Sequence, residues 1–154
     1  APMRNTQGYW KNHPLAWPVD SLVLDDETYT KVELLALLHT PSEGDASIIL
    51  AHQLIAAKLN VANGADDSAI ASTIDAADDW LDYYDGKLPY GISPSSPAGE
   101  QATALAGTLD EYNNGLLEGG PPHCNGSSDN SECTITYRVF LPLVKAGTGA
   151  QATE

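Results

Sequence analysis

Four histidines, two cysteines and a run of aspartates are the side chains of this sequence best suited to chemistry. Imidazoles suit zinc or copper, but His13, His39, His52 and His123 include no pair at the i, i+4 or two-residue spacing that marks a ligand pair. Cys124 and Cys133 bracket Asn-Gly-Ser-Ser-Asp-Asn-Ser-Glu, a polar, turn-prone loop. A disulfide closing it would add roughly 2–3 kcal/mol, and two free thiols are the alternative in a reducing compartment. His123 beside Cys124 is too little for a zinc site by itself, and Asn125-Gly-Ser is a glycosylation sequon. Seven Asp and no Lys or Arg stand between Asp66 and Asp85. They read as a solvated face, with weak Ca²⁺ binding as the alternative, because hard cations take several carboxylate oxygens. Asp75 and Asp79, like Asp78 and Asp82, repel at i, i+4. A secreted hydrolase would need two carboxylates at a set separation, and no spacing singles out such a pair. Gly-x-Ser-x-Gly, Gly-x-Gly-x-x-Gly, P-loop and Cys-x-x-Cys-His patterns are absent.

The chain that carries these residues has 154 residues, 7 Lys and Arg against 21 Asp and Glu, and a formal charge of −14. That length suits one domain with a core of its own, and 42% apolar residues is too many for a disordered chain. The charge excludes nucleic acid, whose phosphates need clustered Lys and Arg, and disfavours anionic membranes. No apolar run reaches the ~20 residues of a transmembrane segment. Ala1-Pro2-Met3 has neither a basic nor an apolar leader region, so the start reads as that of a processed, mature protein; an arbitrary boundary is the alternative.

Four helices are predicted. Residues 1–24 form an irregular arm, since Pro2, Pro14 and Pro18 interrupt any long helix, with a short strand at 21–24. The first helix, 31–39, opens on the capping box Thr30/Glu33 and stops at Pro41, with Val32, Leu35 and Leu38 on one face. The second, 46–59, is capped by Asp45, is apolar almost all round and ends at Asn63-Gly64; it is the expected centre. The third, 68–84, is capped by Asp66 or Asp67 and carries the stripe Ile70, Ile74, Ala77, Leu81, Tyr84, with Asp75, Asp78, Asp79, Asp82 and Asp85 opposite and Gly86 after its end. A Pro- and Ser-rich loop leads to the fourth, 98–117, with Pro97 near N1, the stripe Ala102, Leu105, Leu109, Tyr112, Leu116, and Gly119-Gly120-Pro121-Pro122 beyond it.

Thr134-Ile-Thr-Tyr-Arg-Val-Phe140 is β-branched and aromatic and reads as a strand, continued by Leu141-Pro-Leu-Val144, in which Pro142 suits an edge at best. A strand needs a partner. Either it packs on the helices beside Ser21–Leu24 or it pairs with another chain by strand addition; closure within the chain is favoured slightly. Thr134, Ile135, Tyr137, Val139, Phe140, Leu141 and Leu143 are then the candidate assembly residues. In the arm, Tyr9, Trp10, Asn12, His13 and Trp17 form the candidate structural motif. Such aromatics pin an arm to its core more often than they stack on glycans.

Thr6-Gln-Gly-Tyr-Trp-Lys-Asn-His-Pro14 with Trp17, Leu50-Ala-His-Gln-Leu-Ile-Ala-Ala-Lys-Leu-Asn60, Leu109-Asp-Glu-Tyr-Asn-Asn-Gly115 and Gly120-Pro-Pro-His-Cys124 together resemble a family of uncharacterised secreted bacterial surface proteins. The resemblance covers residues 6–124 and implies an extracellular or cell-surface setting. His13, His52 and His123 lie within these blocks, so a shared metal site is the sharper reading of them; a turn at His13 and core packing at His52 are the favoured ones. The expected fold is a single mainly α domain over 1–154: an arm (1–24), a helical core (25–120), a disulfide loop and strand (121–145) and a tail (146–154). The expected function is that of a non-enzymatic extracellular structural or interaction protein, a self-assembling surface or filament subunit that meets its own copies or other cell-surface proteins. The alternatives are a metal- or ligand-binding module using His13, His52 and His123, with Zn as the guest there and Ca²⁺ as the guest of the acidic helix, and a hydrolase with a carboxylate site.

Overall fold

Caps and breakers set nearly every element boundary in residues 4–116, the span that the computed structural model describes. The order is α1 (Gln7–Asn12), a 3₁₀ turn (Pro14–Ala16), β1 (Ser21–Leu24), β2 (Glu27–Thr30), α2 (Lys31–His39), α3 (Ala46–Ala62), α4 (Ala71–Asp82) and α5 (Pro97–Asn113). The fold is mainly α with one two-stranded antiparallel sheet. Residues 117–154 are outside the described span, and with them the expected Cys124–Cys133 disulfide, His123 and the strand at 134–140.

The central helix is α3. Asp45 caps it, its carboxylate accepting from Ser47 N–H at 2.9 Å and Ser47 Oγ at 2.7 Å. The same carboxylate accepts from Gly91 and Ile92 N–H, both at 3.1 Å, so the loop between α4 and α5 is tied to the start of α3. Burial pushes the Asp45 carboxyl up, but these hydrogen bonds outweigh it and hold the group below the usual Asp range. Ile48, Leu50, Ala51, Leu54, Ile55, Ala56, Ala57 and Leu59 are all buried, as an all-round apolar helix requires. Its main partner is α5, which offers the small residues Ala102 and Ala106 and the larger Leu109 and Tyr112.

The expected 1–24 arm is more regular than its prolines suggest. Thr6 Oγ1 accepts from Tyr9 N–H and starts a six-residue helix that ends before Pro14. Ser21–Leu24 is a strand, but its partner is local: Ser21 faces Thr30 and Leu24 faces Glu27 across a hairpin. The Thr28-Tyr29-Thr30 run is β-prone, and Asp25 takes the left-handed turn conformation at φ +62°, which Asp tolerates better than most residues. One side of Ser21–Leu24 is therefore already paired.

At α2 both capping-box bonds form, Glu33 N–H to Thr30 Oγ1 and Thr30 N–H to Glu33 Oε1. The buried face is Leu34, Leu37 and Leu38; Val32, expected inside, is 77% exposed. Helix α3 runs to Ala62, three residues past the expected end, and Asn63 caps it. Helix α4 is shorter than 68–84. Asp66 accepts from Ser68 N–H as expected of a cap, but it closes a turn there, and the helix proper starts at Ala71. Helix α5 begins at Pro97, with Ser96 Oγ accepting from Gly99 N–H. It ends at Asn114, ahead of the expected glycines, because Gly115 turns left-handed at φ +74°. Leu116 consequently leaves the stripe and is exposed.

One buried side chain joins three of these elements. Asn60 of α3 accepts at Oδ1 from Asn5 N–H (2.8 Å) and Trp10 Nε1–H (3.2 Å), and donates from Nδ2 to the Asn5 carbonyl (2.9 Å) and Asn113 Oδ1 (3.0 Å). Asn113 of α5 donates in turn to the carbonyl and side-chain oxygens of Gln53.

Two stability predictions follow from these contacts. Asn60→Leu is expected to cost about 3 kcal/mol or more in urea unfolding, because it orphans several buried polar groups at once. Asn60→Asp, which keeps the shape but presents an oxygen where two acceptors expect a donor, should cost at least as much at pH 7. Gly99→Ala is expected to destabilise by about 1–3 kcal/mol, although Ala is the better helix former, since a Cβ at Gly99 overlaps the Ser93 carbonyl. A gain in stability would refute that packing account.

Candidate functional site

The histidines do not converge among the described residues. The Nδ1–H of His13 donates to the Tyr9 carbonyl at 2.8 Å, and the ring stacks on Tyr9 with centroids 4.2 Å apart. His52 Nε2–H donates to the Leu37 carbonyl at 2.8 Å, satisfying a last-turn acceptor of α2 from α3. Each imidazole thus fixes one nitrogen on the backbone, and no group of three metal-ligand atoms among the described residues includes a histidine.

The aromatic arm is built into the core. Trp10 and Trp17 are buried, the indole N–H of Trp10 reaches Asn60, and that of Trp17 donates to the Trp10 carbonyl at 2.9 Å. Tyr9 meets Trp10 edge-on at 5.2 Å, and Lys31 lies 5.6 Å above the Trp17 ring. Asn12 ends α1 and is exposed. No aromatic face of Trp10 or Trp17 is left for a glycan.

The acidic helix is only partly a solvated face. Asp75, Asp79, Asp82 and Asp85 are exposed, but Asp78 is tied down, with Lys58 Nζ at 2.8 Å and Asp25 N–H donating at 2.8 Å. Lys58 also donates to the Val23 carbonyl, so this pair clamps the hairpin to α3 and α4. Asp25, Asp26 and Asp82 gather beside it with carboxylate oxygens within 4.8 Å of one another. A hydrogen bond between Asp82 and Asp25 raises the Asp82 pKa above the usual range, and the charges of Asp25, Asp26 and Asp79 add to it.

Sequence reasoning missed a groove between α4 and α5. Trp80, Tyr83 and Tyr84 form one wall and Ala98, Gln101 and Leu105 the other, enclosing about 770 Å³. Trp80 Nε1–H donates to the Ala98 carbonyl at 3.0 Å, so the indole links the two walls. Tyr84 stacks on Tyr90 at 5.0 Å and leans on Trp80 at 4.9 Å, forming a continuous ladder. The ladder is anchored at Tyr90, whose N–H donates to Ser47 Oγ and whose hydroxyl donates to the Gly86 carbonyl. Burial, then the neighbouring Tyr29, pushes the Tyr90 phenol well above its usual pKa, so it stays a donor at any physiological pH. Tyr83 meets Tyr84 edge-on at 5.2 Å and is otherwise 84% exposed. The signal was present in the sequence, since Trp80, Tyr83 and Tyr84 stand at i, i+3 and i+4, which is one helix face.

Comparison of the chain with protein-family models, curated proteins and solved structures gives no match. No helix among the described residues is long and apolar enough to cross a membrane.

The carboxylate cluster makes a pH prediction. A carboxyl whose pKa is raised by folding costs stability once it ionises, so stability should fall as pH rises from the ordinary Asp range through the raised value, with the deficit complete at pH 7. Asp82→Asn is expected to raise the melting temperature at pH 7 and to match wild type below pH 3. Asp25→Asn should act alike, and the two together should give less than the sum.

Proposed function

We propose that the chain is a non-enzymatic extracellular structural or interaction protein, a self-assembling subunit of a surface layer or filament, whose copies associate through the groove between α4 and α5. The observation that carries this reading is Tyr83. A tyrosine 84% exposed at the rim of an aromatic-walled groove presents an apolar ring with a polar tip beside the other aromatics of the wall, the kind of side chain that anchors a contact. Tyr and Trp are the residues most enriched where contacts carry binding energy. The polar residues expected to supply chemistry support the same reading through what they do instead: His13, His52 and Asp78 hold backbone and neighbouring elements in place. The extracellular setting is supported by the resemblance of residues 6–124 to secreted surface proteins and by a cysteine pair spaced for a short disulfide loop.

The test is sedimentation velocity on the full chain across a hundredfold range of concentration, with negative-stain electron microscopy of the same samples. Concentration-dependent growth into regular particles is expected, and Tyr83→Ser should weaken it about tenfold, in line with loss of one aromatic contact. A chain that sediments as a monomer throughout would rule the reading out.

A further inference from the structure

We infer that the occupant of the α4–α5 groove is residues 134–145 of a second copy of this chain, which rests on the self-assembly reading above. The first ground is electrostatic. Each copy carries −14, so two copies repel unless their contact sets cations against carboxylates. Of the five cations among the described residues, Arg4 is buried, Lys58 and Lys87 are held by Asp78 and Glu33, Lys31 lies over the Trp17 ring, and Lys11 is half-buried on α1. Arg138 and Lys145 lie within and at the end of the run Thr134-Ile-Thr-Tyr-Arg-Val-Phe-Leu-Pro-Leu-Val-Lys145. Asp79, exposed, lines the groove beside Trp80 and Tyr83, and Asp75 and Asp82, also exposed, flank it along α4 at four- and three-residue steps. The segment therefore joins apolar bulk to positive charge, and the groove joins an aromatic wall to a negative rim.

The second ground is reach. The described chain stops at Leu116, and 17 residues separate it from Thr134. At about 3.3 Å per residue, and with the expected Cys124–Cys133 disulfide closing its loop to about 6 Å, such a connector extends to roughly 35 Å, enough to cross to an adjoining copy. The segment holds the chain's sole Phe together with Tyr137, Val139, Leu141 and Leu143. If each copy gives its segment to the next and receives one in its own groove, the contact is head-to-tail, and such contacts propagate into rings or filaments.

The experiment uses two full-length variants and one peptide. Tyr83→Asp spoils the groove and leaves the segment intact; Phe140→Asp does the reverse. Each alone is expected to be monomeric at concentrations where wild type associates, and an equimolar mixture should sediment as a 1:1 dimer, because one functional groove meets one functional segment. Either variant assembling like wild type, or a mixture that stays monomeric, would overturn the inference. A synthetic peptide of residues 134–145, titrated into the Phe140→Asp chain by calorimetry, should bind, and at least tenfold more weakly once Tyr83→Asp is added. If wild type assembles but the peptide does not bind, the occupant is wrong while the self-assembly reading stands. If the peptide binds but wild type is a monomer at every concentration, the segment fills its own groove, and both the second-copy occupant and the self-assembly reading fail. The charge part is tested separately: Arg138→Glu should weaken assembly, and Asp79→Lys in the same chain should restore part of it; no restoration would remove the electrostatic ground.

Discussion

A carboxamide in the last turn of the central helix is the constraint on which the rest of the structure depends. Asn60 is buried, and its burial is tolerable only if all its donors and acceptors are met. They are met from outside α3, by Asn5 and Trp10 of the N-terminal arm and by Asn113 at the end of α5. The arm and α5 are not covalent neighbours of Asn60, so their docking is coupled: displacing one leaves the amide unsatisfied and weakens the seat of the other. Arg4, buried with its guanidinium 4.3 Å over the Tyr112 ring, and the Tyr112 hydroxyl donating to the Asp66 carbonyl extend the same knot to the start of the α4 region.

Charge is the second constraint. A chain with three times as many acids as bases has to decide where its few cations go. Lys58 is spent on Asp78 and the Val23 carbonyl, which fixes the hairpin against α4. Lys87 is spent on both oxygens of Glu33 and lies 5.0 Å over Tyr29. The Glu33 carboxyl is held below its usual range chiefly by the Thr30 N–H and then by Lys87. Being half exposed, this second pair contributes little by itself; its consequence is geometric, since it sets the loop after α4 against the first turn of α2. Asp25, Asp26 and Asp79 repel the Asp82 carboxylate, and among the described residues neither ion pair involves any of these four.

Much of the frame was legible because local signals determine it. Thr30 with Glu33, Asp45, Pro97 and the largely apolar run from Ile48 to Leu59 each carry their meaning within a few residues. The errors lie where distant contacts override local ones. Val32 fits the predicted stripe of α2, but α2 packs on α3 through Leu34, Leu37 and Leu38, a quarter-turn away. The second strand of the hairpin was hidden because Glu27–Thr30 is four residues long and runs straight into a helix cap. Asn60 stood in plain view, but its partners are 50 to 55 residues distant, and no local pattern announces such a meeting. The groove was legible in part: the i, i+3, i+4 aromatics were there to be read at the end of α4, whereas on the opposite wall Leu105 reads as one more member of the apolar stripe of α5 and Ala98 and Gln101 carry no signature of their own.

The aromatic residues are used differently in the arm and beside the groove. An indole or phenol contributes two separable things, an apolar face and a polar tip. In Trp10 and Trp17 both are consumed by the core: the faces are buried and the N–H groups are paired inside. Trp80 is as buried as Trp17, and its tip is consumed by Ala98; it lines the groove by its edge, while Tyr83 alone of these aromatics is largely exposed. Tyr84 is held through Tyr90, and Tyr90 through Ser47, which shares the carboxylate of Asp45 that caps the central helix. The wall therefore inherits the rigidity of α3. A surface fixed in advance loses little side-chain entropy when it is covered, and here the fixed part is Trp80, Tyr84 and Tyr90, with Tyr83 resting edge-on against Tyr84.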